Sequence, residues 1–310
     1  MDQPVGRITQ LRLHPIRPLW TVGPGWAAVG GALASGGLAL TPQTLLTLAL
    51  VWLLADPVLG VVWDLGVGDT SLVGKGGIWR RLFSPHLPDV APPLRFLPYT
   101  QPNSPGRRLA ERLSRLRLWW HATFWPEAGA EFAALVAALG LALLLGVILG
   151  RSALALVLFY IVLSWLAVLS EKGYTPSNNS LEQPKSIVTL WRALADFGIP
   201  WLLGALVLGK PGWVVLALGI CYSVTYFGLI RQATQPTSDF RLIGASQATA
   251  AWLLIGLRHP LAAGATAILL LPQWGLRTWA DHPAACGPYL RGIQPFVILG
   301  MLGAALAAAM

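Results

Sequence analysis

"TLLTLALVWLLADPVLGVVWDLGVGDTSLVGKGGIWRR", residues 44–81, decides the fold. Its second half, from Trp63 to Arg81, has the outline of a phosphate-binding loop, which would belong to a soluble α/β protein. Such a loop needs G-x-x-x-x-G-K followed by Ser or Thr, so that a hydroxyl reaches the metal, and it follows a strand. Counting back from Gly74-Lys75 puts Asp69 where the first glycine belongs, and Gly76 follows Lys75. The motif fails. The first half is instead a near-continuous apolar run over 44–65, and about 20 such residues cross a bilayer as a helix. The stretch reads as a membrane span running out into a glycine-rich, charged segment.

The rest of the chain agrees. It is 55% hydrophobic and 11% charged, with 15 Trp and a mean hydropathy of +0.60, whereas about a quarter of a soluble domain is charged. The two cysteines, Cys221 and Cys286, fall in separate segments without CxxC spacing, so neither a disulfide framework nor a zinc site is indicated. The opening MDQPVGRITQLRLHPIRPLW has no short apolar core before a small-residue cleavage site and reads as a polar lead-in to the first span.

Long apolar runs predict nine helices, near 19–39, 44–65, 129–149, 152–170, 188–208, 212–230, 242–257, 260–276 and 293–309. Pro260, beside Arg258 and His259, marks a tight turn between the two shortest. The runs do not alternate as barrel strands do, and only helices or closed barrels satisfy their backbone in lipid. With a cytoplasmic N-terminus, 19 of the 22 Lys and Arg fall on one side, leaving Arg151, Lys210 and Arg258 on the other. That asymmetry is the positive-inside pattern, so the net charge of +9 reports topology rather than nucleic-acid binding. The fold class expected is all-α and polytopic, a single membrane domain over 1–310.

Two cytoplasmic loops stand out. The enlarged loop 69–127 carries seven prolines between Pro85 and Pro105, then RRLAERLSRLRLWW over 107–120. Leu109, Leu113, Leu116 and Trp120 recur there at helical spacing, with Arg108, Arg112 and Arg115 between them. The pattern predicts an amphipathic basic helix at the interface, anchored on anionic lipid, with attraction of an anionic substrate by its arginines as the alternative. The loop 170–186 is polar and leads into LWRALADFGIPWLLG, where Arg192 and Asp196 stand four apart and are expected to pair.

Chemistry is harder to place. His14, His86, His121, His259 and His282 all fall in loops or at helix ends, unlike the axial ligands of a haem protein. A transporter would keep ionisable residues at mid-depth, and Glu131 and Asp196 are read near span ends. The acids gather on the cytoplasmic side instead: Asp56, Asp64, Asp69, Glu171, Glu182, Asp196 and Asp239. Carboxylates there, joined by Lys or Arg, suit Mg²⁺ bridging a diphosphate.

Three stretches carry a family resemblance: HPIRPLW…GWAAVGGALASG (14–36), GYTPSNNS…LWRALADFGIPWLLGALVLG (173–209) and SDFRLIGASQAT (238–249). Together with nine helices and polar ends after spans two and six, they resemble the UbiA-type intramembrane prenyltransferases, a superfamily that includes the chlorophyll and bacteriochlorophyll synthases. The family's first motif, Asn-Asp-x-x-Asp-x-x-x-Asp, corresponds here to ADPVLGVVWDLGVGD. Asp56 takes the first acidic place beside Ala55, Leu59 the second, and Asp64 lies one residue beyond the third. In the second motif, aligning Arg241 and Gly244 puts Phe240 at an acidic place, with Asp239 one residue off.

The resemblance implies transfer of an isoprenoid from its diphosphate to a lipophilic ring acceptor, with Mg²⁺ on Asp56, Asp64 and Asp239. It further implies that Lys75, Arg80, Arg81 and Arg241 bind the diphosphate, in an integral membrane protein of a bacterial inner membrane. No catalytic base is assigned. The alternative is a catalytically inactive relative, a lipid- or pigment-binding subunit of a larger membrane assembly. Membrane lipid is the one partner common to both readings, and a transporter is a third, weaker option.

Overall fold

A computed structural model describes residues 21–68, 77–83, 85, 87, 88, 105–172, 183–234, 241–276 and 286–310. Among them every regular element is helical: α1 Pro24–Ala34, α2 Pro42–Leu53, α3 Leu59–Gly66, α4 Ile78–Phe83, α5 Pro105–Trp119, α6 Trp125–Leu149, α7 Arg151–Lys172, α8 Gln183–Ala193, α9 Ile199–Leu208, α10 Trp213–Thr234, α11 Arg241–Gly256, α12 Pro260–Gly275 and α13 Cys286–Ala309. Among the described residues six stretches are long and apolar enough to cross a membrane: Pro42–Gly66, Gly106–Leu149, Arg151–Ser170, Ile187–Leu208, Trp213–Ala233 and Pro288–Ala309. The other three apolar runs are helices too, but α1 has 11 residues and α11 and α12 have 16 each. At 1.5 Å per residue α1 covers only about 16 Å.

Each of three long helices contains a π-turn, at Leu54–Val58, Trp120–Phe124 and Leu194–Gly198. A proline accompanies each one: Pro57 lies inside the first, while Pro126 and Pro200 follow the others by two residues. Proline lacks an N–H, and its ring collides with the carbonyl four residues back, so the preceding turn opens to i→i+5 bonding. Pro272 and Pro295 are carried inside α12 and α13 without such a turn. The proline therefore permits the widening, and local packing decides whether it happens.

The bundle is assembled around α1. Its sequence PGWAAVGGALA leaves eight residues buried, all of them Pro, Gly or Ala. A Cβ on Gly31 would strike the Trp201 carbonyl, and one on Gly204 would strike the Ala28 carbonyl. The contact is reciprocal: backbone meets backbone between parallel α1 and α9, with Gly37 against Leu208 and Gly209 against Ser35 at the far end. Small residues are how helices approach in lipid, where burial supplies no hydrophobic gain. One apolar core lies on the side of α2, α3, α6 and α7, and a second on the side of α10, α11 and α13.

Helices alternate in direction from α6 onward. The turn at 257–259 is a Schellman closure, with Arg258 N–H donating to Ile255 O and His259 N–H to Leu254 O, both at 2.9 Å. Arg258 takes the left-handed conformation there (φ 66°) and Pro260 begins α12, as the sequence led one to expect. Alternation collects Arg80, Arg81, Arg192, Arg231, Arg241 and Arg291 at or towards one end. Arg151, Lys210 and Arg258 lie at the other.

Gly204→Ala therefore forces α9 off α1 and is expected to destabilise the protein by about 1–3 kcal/mol, the usual cost of overpacking. Gly264→Ala, with nothing within 4 Å of the new Cβ, is the control and leaves the melting midpoint in detergent unchanged or raised.

Candidate functional site

Asp56 sits inside the first π-turn and Asp64 on α3, both half-buried. In a regular α-helix the residue at i+7 lies almost beneath residue i, while i+8 is rotated away. The π-turn takes up an extra residue. Because the turn brackets Asp56, part of that widening falls before Asp64 and rotates it toward the Asp56 side of the helix, two turns nearer the basic end. Tyr160 of α7 fixes the segment between them, donating its buried O–H to the Leu59 carbonyl at 2.8 Å and meeting Trp63 edge-to-face at 6.1 Å.

Past Asp64 the chain folds back on itself. Gly77 N–H donates to the Val67 carbonyl at 3.3 Å, which sets the start of α4 against the end of α3. The Trp79 indole packs directly on Gly66, where any side chain would collide with it, and Trp79 meets Trp165 of α7 at 5.5 Å. This returns α4 to the end of α3, so the exposed Arg80 and half-exposed Arg81 come to the Asp64 end of the bundle. Arg241 opens α11 at that same end and is exposed. Lys75, Asp69 and Asp239 lie outside the described residues. Asp64, Arg80 and Arg81 thus lie at one end of the bundle on the α3–α7 side and Arg241 at the same end on the α10–α11 side, with Asp56 deeper along the same helix as Asp64. Among the described residues no three His, Cys, Asp or Glu side chains form a group able to hold a metal by themselves.

The second polar centre is deeper than the sequence reading placed it. Asp196 lies in the π-turn Leu194–Gly198, nine residues into the apolar stretch Ile187–Leu208, or about 14 Å along the axis. It is 3% exposed. The expected pairing with Arg192 is present, with Nε to Oδ2 at 3.5 Å, and Tyr226 of α10 donates its O–H to the same oxygen at 3.1 Å. Phe197 and Trp201 stack over this region, with Phe197–Tyr226 centroids 5.6 Å apart. A carboxylate at this depth is tolerated because its charge meets a guanidinium and a hydroxyl.

Sequence reasoning missed Tyr226, and it missed the repeated Leu-Ala-Asp at 54–56 and 194–196, each in a π-turn and each followed within four residues by proline. It also passed over two buried polar links in the second core. Gln247 and Gln273 exchange amide hydrogen bonds, 3.0 Å in each direction, and Thr225 bonds Ser246 at 2.8 Å. A glutamine inside an apolar run was the available signal.

No family model, curated protein or solved structure matches the chain.

Removing the hydroxyl that meets Asp196, by Tyr226→Phe, is expected to lower stability by on the order of 1 kcal/mol, as for other hydrogen bonds within membrane bundles. Thermal unfolding in detergent reads the change.

Proposed function

We propose that the protein is an intramembrane prenyltransferase of the UbiA type, with nine membrane-crossing helices and its basic end in the cytoplasm. The reaction moves an isoprenoid from its diphosphate to a lipophilic ring acceptor, and the setting is a bacterial inner membrane. The observation that carries this reading is the π-turn at Leu54–Val58. Against the family's first motif Asp64 stands one residue too far along, and one residue is what a π-turn absorbs.

The donor set suits Mg²⁺, which is commonly held by one or two carboxylates together with substrate phosphates and waters. Asp56 and Asp64 would hold it, joined by Asp239, and the ion when bound offsets the negative charge of the leaving diphosphate. Arg80, Arg81, Lys75 and Arg241 supply cationic donors for the phosphate oxygens at the basic end. The apolar helices behind them keep the isoprenoid chain out of water, so that, as the C–O bond breaks and diphosphate departs, the prenyl carbon bonds to the acceptor, which gives up a proton, rather than to water. Nine crossings also suit the charge distribution, which would be scrambled by losing one helix from the alternation.

Binding of a non-hydrolysable prenyl diphosphate analogue to the purified protein tests the reading. Saturable binding that requires Mg²⁺ and is lost in Asp56→Ala is the expected result. Absence of binding at millimolar metal would favour the inactive, lipid- or pigment-binding relative, which should then co-purify with a stable partner.

A further inference from the structure

The segment α5 exposes a leucine stripe that nothing among the described residues covers extensively. Leu109, Leu113 and Leu116 are 61%, 56% and 41% exposed, and their spacing of four and three residues places them on one face with Trp120. Arg112 and Arg117 flank that face, and Arg108 and Arg115 lie beyond Arg112. The helix has a single acid, Glu111, which is already paired with Arg107 at 2.9 Å. Arg115 Nε is buried without a hydrogen-bond partner among the described residues. Among the described residues the main neighbour of α5 is the π-turn that follows it.

The direction in which α5 leaves α6 follows from its aromatics. Trp120 and Phe132 have ring centroids 5.5 Å apart although twelve residues separate them. Along a straight helix those residues stand about 18 Å apart, and Trp120 would lean away from Phe132, since side chains tilt toward the N-terminus. The axis must therefore bend at the π-turn Trp120–Phe124, where Pro126 weakens the ladder. Trp120, Phe124 and Phe132 fill the inside of the bend, with Phe124–Phe132 at 5.7 Å and Trp120–Phe124 at 4.6 Å. Trp120 continues the leucine stripe. The stripe thus faces inward, toward the lipid that surrounds the apolar α6, and α5 turns away from the α6 axis.

We infer that α5 is a docking surface for anionic phospholipid: it lies in the headgroup layer with Leu109, Leu113 and Leu116 in the acyl boundary and its arginines on lipid phosphates. Leucines sunk to that depth with cationic flanks bind a charged surface through both terms at once. The inference is independent of the prenyltransferase reading.

The test uses the full chain, with Cys221→Ser and Cys286→Ser as background and a spin label on a single cysteine introduced by Leu109→Cys, Leu113→Cys or Arg108→Cys. Each is reconstituted in vesicles of phosphatidylcholine alone or of an equal mixture with phosphatidylglycerol. Power saturation then compares collision with oxygen, enriched in lipid, and with a water-soluble nickel chelate. The expected result is oxygen contact at 109 and 113 and nickel contact at 108, with labels at 109 and 113 sitting deeper when phosphatidylglycerol is present. Replacing Arg108, Arg112, Arg115 and Arg117 together by Gln abolishes that lipid dependence while the melting midpoint holds. Nickel contact at 113 equal to that at 108, shielding of 113 from both probes as in a protein interface, or equal depth in both vesicles would each overturn the proposal.

Discussion

Proline inside a membrane helix sets the constraint on which the site depends. A helix in lipid has no water to satisfy the carbonyl that proline leaves unpaired, so the backbone must rearrange internally. At Pro57, Pro126 and Pro200 it does so by widening one turn. The local cost is small, but everything beyond the turn is rotated relative to what precedes it. One such turn holds Asp56, another holds Asp196 beside Tyr226, and the third bends the chain between α5 and α6.

These rotations matter because the rest of the bundle is held at backbone contact. The Gly31 and Gly204 positions leave no room for slippage between α1 and α9, and Trp201, packed across Gly30 and Gly219, donates to the Val215 carbonyl at 2.9 Å to tie α9 to α10. With α1, α9 and α10 fixed in register, the acids on α2–α3 and α8–α9 are held relative to a common reference. Polar chemistry then sits in two layers: a basic end with Asp64, Arg80, Arg81 and Arg241, and a deeper Asp196 centre already satisfied by protein.

Much of this architecture was legible in the residues. Apolar runs located every long helix, the Arg258-His259-Pro260 turn was readable from proline, and the Arg192–Asp196 spacing foretold a contact that is there. Hydropathy could not tell a full crossing from an 11-residue helix such as α1, because small residues score as apolar whether they face lipid or another backbone. Nor does counting in steps of seven survive a π-turn: the helical register on the two sides of Leu54–Val58 cannot be read as one regular series. Tyr226 escaped because its role depends on α10 packing against α8–α9, a contact between residues 30 apart in sequence.

The prenyltransferase proposal requires that the turn at Leu54–Val58 be an absorbed insertion. A chain lacking Val58 should close that turn into ordinary α-helix while keeping α3 in place. The measurement is its affinity for a Mg²⁺-bound prenyl diphosphate analogue, set beside wild type, with thermal unfolding to establish that it folds. Affinity within a few-fold of wild type is predicted, since Asp56 and Asp64 would still share a face. A folded deletion chain that binds weaker by about tenfold or more, roughly 1.4 kcal/mol, would contradict it.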